Sequence, residues 1–245
     1  MLPLLLAAAL ALVHLFAGKL RFLSVEPRSQ WLSFASGISV AYVFAHLLPE
    51  VAEAQAVFVE TGVERAVAGE GHVWLLALAG LVGFYGLARQ AKMSREDSEA
   101  EGGGDRTERA VFWVHMGSYS LYNVLIGYLL GRGEAGSGSV LWLFWIAMTL
   151  HFFVNDYGLR TDHKDRYTRS GRWVLSAAVL LGAALGRTVE LPEAVIAGLV
   201  AVLAGGVVLN VLKEELPEER ESRFWPFALG AASYAALLVA VGVPG

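Results

Sequence analysis

Eight apolar runs separated by short charged punctuation constrain this chain more than any other feature: residues 2–18, 31–58, 72–91, 110–131, 139–159, 172–187, 191–212 and 224–243. A helix rising ~1.5 Å per residue needs about 20 residues to cross ~30 Å of hydrocarbon, and most of the runs have that length. Only 17 % of the 245 residues are charged and 56 % are hydrophobic; a soluble domain carries about 25 % charge. Mean hydropathy is +0.51, and a soluble fold has too little interior to hide that much apolar surface. The expected fold is an all-α polytopic membrane protein: one transmembrane domain over residues 1–245, with eight transmembrane helices.

Charge placement tests both the count and the orientation. Numbering the connections between runs in order, the odd ones hold sixteen of the nineteen Lys and Arg residues, and only Arg65, Arg132 and Arg187 fall in even ones. Short loops rich in Lys and Arg stay in the cytoplasm, so the odd connections are expected inside and both termini outside. An odd number of helices would break the pattern. The first run, Leu2 to Ala17, has no cation before it and Lys19 and Arg21 after it, which reads as a retained first helix and not as a cleaved signal. The expected location is the cell inner membrane, crossed many times.

Local punctuation adds detail. Residues 93–109, with Gly102 to Gly104 and mixed charges, read as a flexible cytoplasmic loop. Pro49, inside a run longer than a span needs, should kink or end the second helix. Gly80, Gly83 and Gly86, the Gly127/Gly131 and Gly182/Gly186 pairs, and Gly198, Gly205 and Gly206 are small residues of the kind that let helices approach closely in lipid. The second run closes in His46-Leu-Leu-Pro-Glu50 and the seventh in Glu214-Glu-Leu-Pro-Glu218. Similar endings on helices of opposite direction fit an inverted repeat of helices 1–3 and 6–8, while Leu-Pro-Glu also suits any helix boundary.

Ionisable groups at membrane depth are expensive and mark function by default. His151 and Asn155 are four apart on one helix face, and Asp156 lies about 100° further round. His115 and Asn123 lie on the preceding helix, where they could share a site with them. Imidazole, amide and carboxylate together suit zinc, iron or manganese. The same groups also serve as packing glue between helices, worth ~0.6 kcal/mol per hydrogen bond. His115 also reads as an interfacial histidine, and Asp156 as a partner of Arg160 or Lys164. His14 and His72, near helix ends, and His163, in a connection, are expected to be without special role. Trp31, Trp74, Trp113, Trp142, Trp173 and Trp225 read as interfacial anchors.

Several classes are excluded or unsupported. There is no cysteine, which removes disulfides, thiolate metal sites and cysteine nucleophiles. A net charge of -4 without a basic cluster argues against nucleic acid as a partner. No Gly-x-Ser-x-Gly, phosphate loop or His-Glu-x-x-His is present, so an enzyme is not expected.

In layout, and in the closing motifs His46 to Glu50 and Glu214 to Glu218, the chain resembles the ZIP family of zinc and iron transporters. The likeness covers nearly the whole chain as architecture. The fourth helix of that family typically reads His-Asn-x-x-Glu/Asp-Gly, and Tyr122-Asn123-Val124-Leu125-Ile126-Gly127 falls on it. Asn123 and Gly127 match, whereas Tyr122 stands at the ligand histidine and Ile126 at the carboxylate. The fifth typically reads His-x-x-Pro-Glu/His; His151 is retained, with Val154 at the proline and Asn155 at the next ligand. The resemblance implies a transporter scaffold with a depleted site, moving zinc, iron or manganese toward the cytoplasm. His151, Asn155, Asn123, Asp156 and His115 would be the metal residues, with His46, Glu50, Glu214 and Glu218 at the outer and inner mouths. Expected partners are the metal ion, as substrate and not as a permanent cofactor, the lipid bilayer, and a second copy in a homodimer. The alternative is a ZIP-derived membrane protein that no longer transports and instead binds, senses or scaffolds.

Overall fold

The computed structural model describes residues 1–19, 30–62, 72–100, 102, 109–133, 138–215 and 223–241. Among them every regular element is helical and none is a strand. Seven continuous helices result: α1 (Leu2–Phe16), α2 (Gln30–Glu60), α3 (His72–Ala100), α4 (Arg109–Arg132), α5 (Gly138–Thr188), α6 (Glu193–Glu215) and α7 (Phe224–Val241). Four stretches, Gln30–Glu60, His72–Ala100, Gly138–Thr188 and Glu193–Leu212, are long and apolar enough to cross a membrane; Leu2–Phe16 and Phe224–Ala240 are apolar but shorter. This is the make-up of a membrane protein. Helix α4 has 24 residues but carries Ser118, Tyr119, Ser120, Tyr122 and Asn123 in its middle. Polar residues of that kind need shelter from lipid, and Tyr122 and Asn123 are buried.

Among the described residues, seven continuous helices stand where eight separate ones are expected. The expected connection between the fifth and sixth runs is itself helical, so α5 continues from Gly138 to Thr188. No Pro or Gly stands between Arg160 and Ser170 to stop it. The break is confined to Lys164, whose φ of 45° and ψ of -121° divide α5 into two arms, followed by a π-turn at Tyr167–Gly171. The expected loop from Met93 is likewise helical as far as Ala100. Its Arg, Glu and Ala residues favour helix. Arg95 also ties it to α5, donating to the carbonyl oxygen of Thr161 at 3.2 Å and standing 3.5 Å from the Asp162 carboxylate. Pro49 does not end α2. It follows a π-turn at Val43–Leu47 and sits in the first turn of the next α-helical stretch, Leu48–Glu60, where a missing N–H costs least.

The chain divides into two compact units. Unit 1 comprises residues 1–32 and 86–189, and in it α1 packs against α4 and both arms of α5. Leu6, Ala7, Leu10, Ala11, Val13 and His14 form the buried side of α1. Trp145 Nε1 donates to the carbonyl oxygen of Leu6 at 3.1 Å, and the Ser176 hydroxyl donates to that of Ala11 at 2.9 Å. Helix α4 and the second arm of α5 meet through four glycines: a Cβ on Gly127 or Gly131 would overlap the carbonyl oxygen of Val179 or Ala183, and one on Gly182 or Gly186 that of Val124 or Tyr128. The interlock is reciprocal, so the two backbones touch along more than one turn.

Unit 2 comprises residues 33–85 and 190–245 and uses the same device. Gly80 fits against Val202 and Gly205 against Ala77, joining α3 to α6, while Gly37 and Gly230 join α2 to α7. Gly83 and Gly86, expected at a helix contact, have nothing within 4 Å of a built Cβ. The outward side of α3 carries Trp74, Leu75, Leu78, Val82 and Tyr85, all exposed.

Candidate functional site

One group of buried polar residues in unit 1 gathers around His14 of α1. His14 lies on its buried stripe, four residues after Leu10. On α5, Phe152 and Asp156 are also four apart and so share one side. Phe152 stacks on the His14 ring at 4.4 Å between centroids, and Asp156 Oδ1 lies 2.9 Å from His14 Nδ1. From α4, Asn123 Oδ1 lies 2.8 Å from His14 Nε2. The Tyr167 hydroxyl, on the π-turn, donates to Asp156 Oδ1. The four residues are between 0 and 2 % exposed, so three helical segments and a turn hold one buried polar seam.

Hydrogen-bond directions within the seam follow from Asn123. Its Nδ2 donates to the carbonyl oxygen of Tyr119 at 2.7 Å, which leaves Oδ1 facing His14. An amide oxygen only accepts, so Nε2 carries the hydrogen. Nδ1 faces a carboxylate oxygen, and one proton lies between them, on imidazolium or on carboxylic acid. In either form the couple has no net charge, which is how a buried carboxylate avoids the desolvation penalty of a lone ion. Asp156 Oδ2 is buried and without a hydrogen-bond partner.

Two further pairs flank the seam. Asn155 Nδ2 lies 2.9 Å from His151 Nε2 on the same helix face, with the Tyr122 ring 5.7 Å from the imidazole. His115 Nδ1 lies 2.8 Å from His163 Nε2, and the Phe112 ring packs edge-on to His163 at 5.3 Å. His163 immediately precedes the non-helical Lys164.

No family model, curated protein or solved structure matches this chain. Its own residues therefore carry the functional argument.

The expected residues form not one group but three. His151 and Asn155 are together. Asn123 and Asp156 are joined through His14 and not through His151. His115 pairs with His163. Among the described residues, no three His, Asp or Glu side chains converge as a metal cage. His46 and Glu50 are half-buried in unit 2, and the Tyr42 ring lies 5.3 Å from His46. Glu214 falls in α6, but its side chain and all of Glu218 lie outside the described residues.

His14, Tyr167 and His163 are the residues that sequence reasoning missed. His14 extends the buried spacing Leu6, Leu10, His14 and was legible as an inward histidine. Tyr167 stands within Lys164-Asp-Arg-Tyr-Thr-Arg169, and nothing in that charged surrounding announces burial.

Proposed function

We propose that this chain is a multi-pass inner-membrane transporter of ZIP-like layout that moves a divalent cation, zinc, iron or manganese, toward the cytoplasm. In this reading the two arms of α5 cross separately, giving eight crossings with both termini outside. The one-sided distribution of Lys and Arg supports that topology. The observation that carries the function is the buried His14–Asp156–Asn123–Tyr167 seam, because membrane-buried ionisable groups that face other helices mark ion pathways. Its couple holds one replaceable proton beside an unpartnered carboxylate oxygen. The test is uptake of radiolabelled zinc, iron and manganese into proteoliposomes. Native protein should take up at least one ion, and His14→Ala and Asp156→Asn should abolish uptake. Uptake by native protein no greater than by protein-free liposomes refutes the proposal, whereas uptake unchanged in both variants removes only the role of the seam.

A second reading, a non-transporting membrane protein whose polar groups serve packing, is favoured by one observation: His151 with Asn155, and His115 with His163, already satisfy each other. It predicts that these residues affect thermal stability but that no metal raises the melting temperature. A metal-dependent rise removes it.

A further inference from the structure

We infer that Nδ1 of His14 and the carboxylate of Asp156 form a binding site for a divalent transition-metal ion, and that Asn123 is the positioning residue that orients it. The inference rests on the cation-transport reading of the same seam and names its ligands. Four observations support it. A metal-binding histidine typically gives its second ring N–H to an oxygen, which fixes the tautomer and turns the other nitrogen toward the ion. Asn123 supplies that oxygen, locked by the 2.7 Å bond of its amide to Tyr119. The nitrogen thus aimed, Nδ1, meets a carboxylate at 2.9 Å. That carboxylate is wholly buried, and its Oδ2 is without a partner, where an idle acceptor asks for a ligand.

Imidazole nitrogen with carboxylate oxygen selects zinc, iron, manganese or copper over calcium and magnesium, which ask for more oxygens. Entry of the ion displaces the one proton shared by Nδ1 and Oδ1, and Nδ1 then offers its lone pair. The Tyr167 hydroxyl remains on Oδ1 and keeps the carboxylate oriented. Two protein ligands, with water completing the shell, hold an ion weakly enough to release it. That suits a passing substrate better than a resident ion. His151 is left to Asn155 and is no ligand here.

The experiment uses the full chain in detergent with copper(II) as the probe, read by electron paramagnetic resonance after exposed weak sites have been stripped with a mild chelator. Native protein should retain one copper with a single imidazole nitrogen in its superhyperfine pattern. His14→Ala should lose that nitrogen and His151→Ala should keep it. Asp156→Asn, which keeps shape, should weaken binding at least tenfold and reads the site should His14→Ala fail to fold. Asn123→Ala should weaken it 10- to 100-fold, as loss of an orienting partner does, and Asn123→Asp, which keeps the oxygen facing Nε2 but loses the bond to Tyr119, should recover only part of it. A nitrogen signal that persists in His14→Ala, or vanishes in His151→Ala, overturns the assignment, as does native protein that retains no copper. Uptake separates the two proposals: copper at His14 without ion uptake sinks transport and keeps the site, whereas uptake that survives His14→Ala sinks the site and keeps transport.

Discussion

His14 and Asp156 should behave as one energetic unit, and a double-mutant cycle measures this. Asp156→Ala strands two buried polar groups, His14 Nδ1 and the Tyr167 hydroxyl. In a soluble protein, breaking a buried pair costs about 3–5 kcal/mol. In a membrane the unfolded helices also find partners, and a hydrogen bond is worth ~0.6 and at most ~1.7 kcal/mol, so two bonds give about 1–3 kcal/mol. The lower scale governs here, because the reference state is a set of helices still in lipid or detergent. His14→Ala also loses two bonds, to Asp156 and Asn123, and removes the ring stacked on Phe152. The cavity term raises its cost to about 3–4 kcal/mol.

The two variants share the His14–Asp156 contact, so the double variant should be less destabilised than the sum by about 0.6–1.7 kcal/mol. At about 2–4 °C per kcal/mol for a chain of this size, that shortfall is a melting difference of several degrees. Thermal unfolding in detergent, with tryptophan fluorescence as the readout and metal excluded, gives all four corners of the cycle. Additivity within ~0.5 kcal/mol would show that the contact carries no coupling energy and refute the reasoning.

The glycine interlock predicts position-specific intolerance. Gly182→Ala would press a methyl into the Val124 carbonyl and force α4 from α5; a loss of about 1–3 kcal/mol is expected by thermal unfolding, while Gly83→Ala, with open space around it, should be neutral or slightly stabilising. At the bend of α5, Lys164→Gly should raise stability by about 1 kcal/mol, since φ 45° with ψ -121° is open to glycine and strained for lysine. Lys164→Val should lower the melting temperature. Arg95→Ala removes a partly exposed ion pair at 3.5 Å, and less than about 1 kcal/mol should be lost, and less still in high salt.

What the sequence discloses and what it hides differ for physical reasons. Helix positions follow from hydropathy because lipid forces every backbone group into a helix, so the apolar runs and the observed helices nearly coincide. The junction between the arms of α5 escapes this logic: between Arg160 and Ser170 the residues are polar enough for a loop yet contain no stop signal, and buried His163 and Tyr167 decide the outcome. The site was half legible. An i, i+4 spacing declares a shared face, so His151 with Asn155 could be read directly, as could the separate direction of Asp156. Which helix each face meets is a long-range fact, and here it inverts the expected roles. The histidine at the end of α1 takes Asn123 and Asp156, and the one in the middle of α5 closes on its own helix. The seam therefore depends on the seating of α1. Among the described residues α1 alone contributes an imidazole to the seam, and besides the His14–Asp156 couple it is held to α5 by hydrogen bonds at the carbonyl oxygens of Leu6, Ala11 and Leu15.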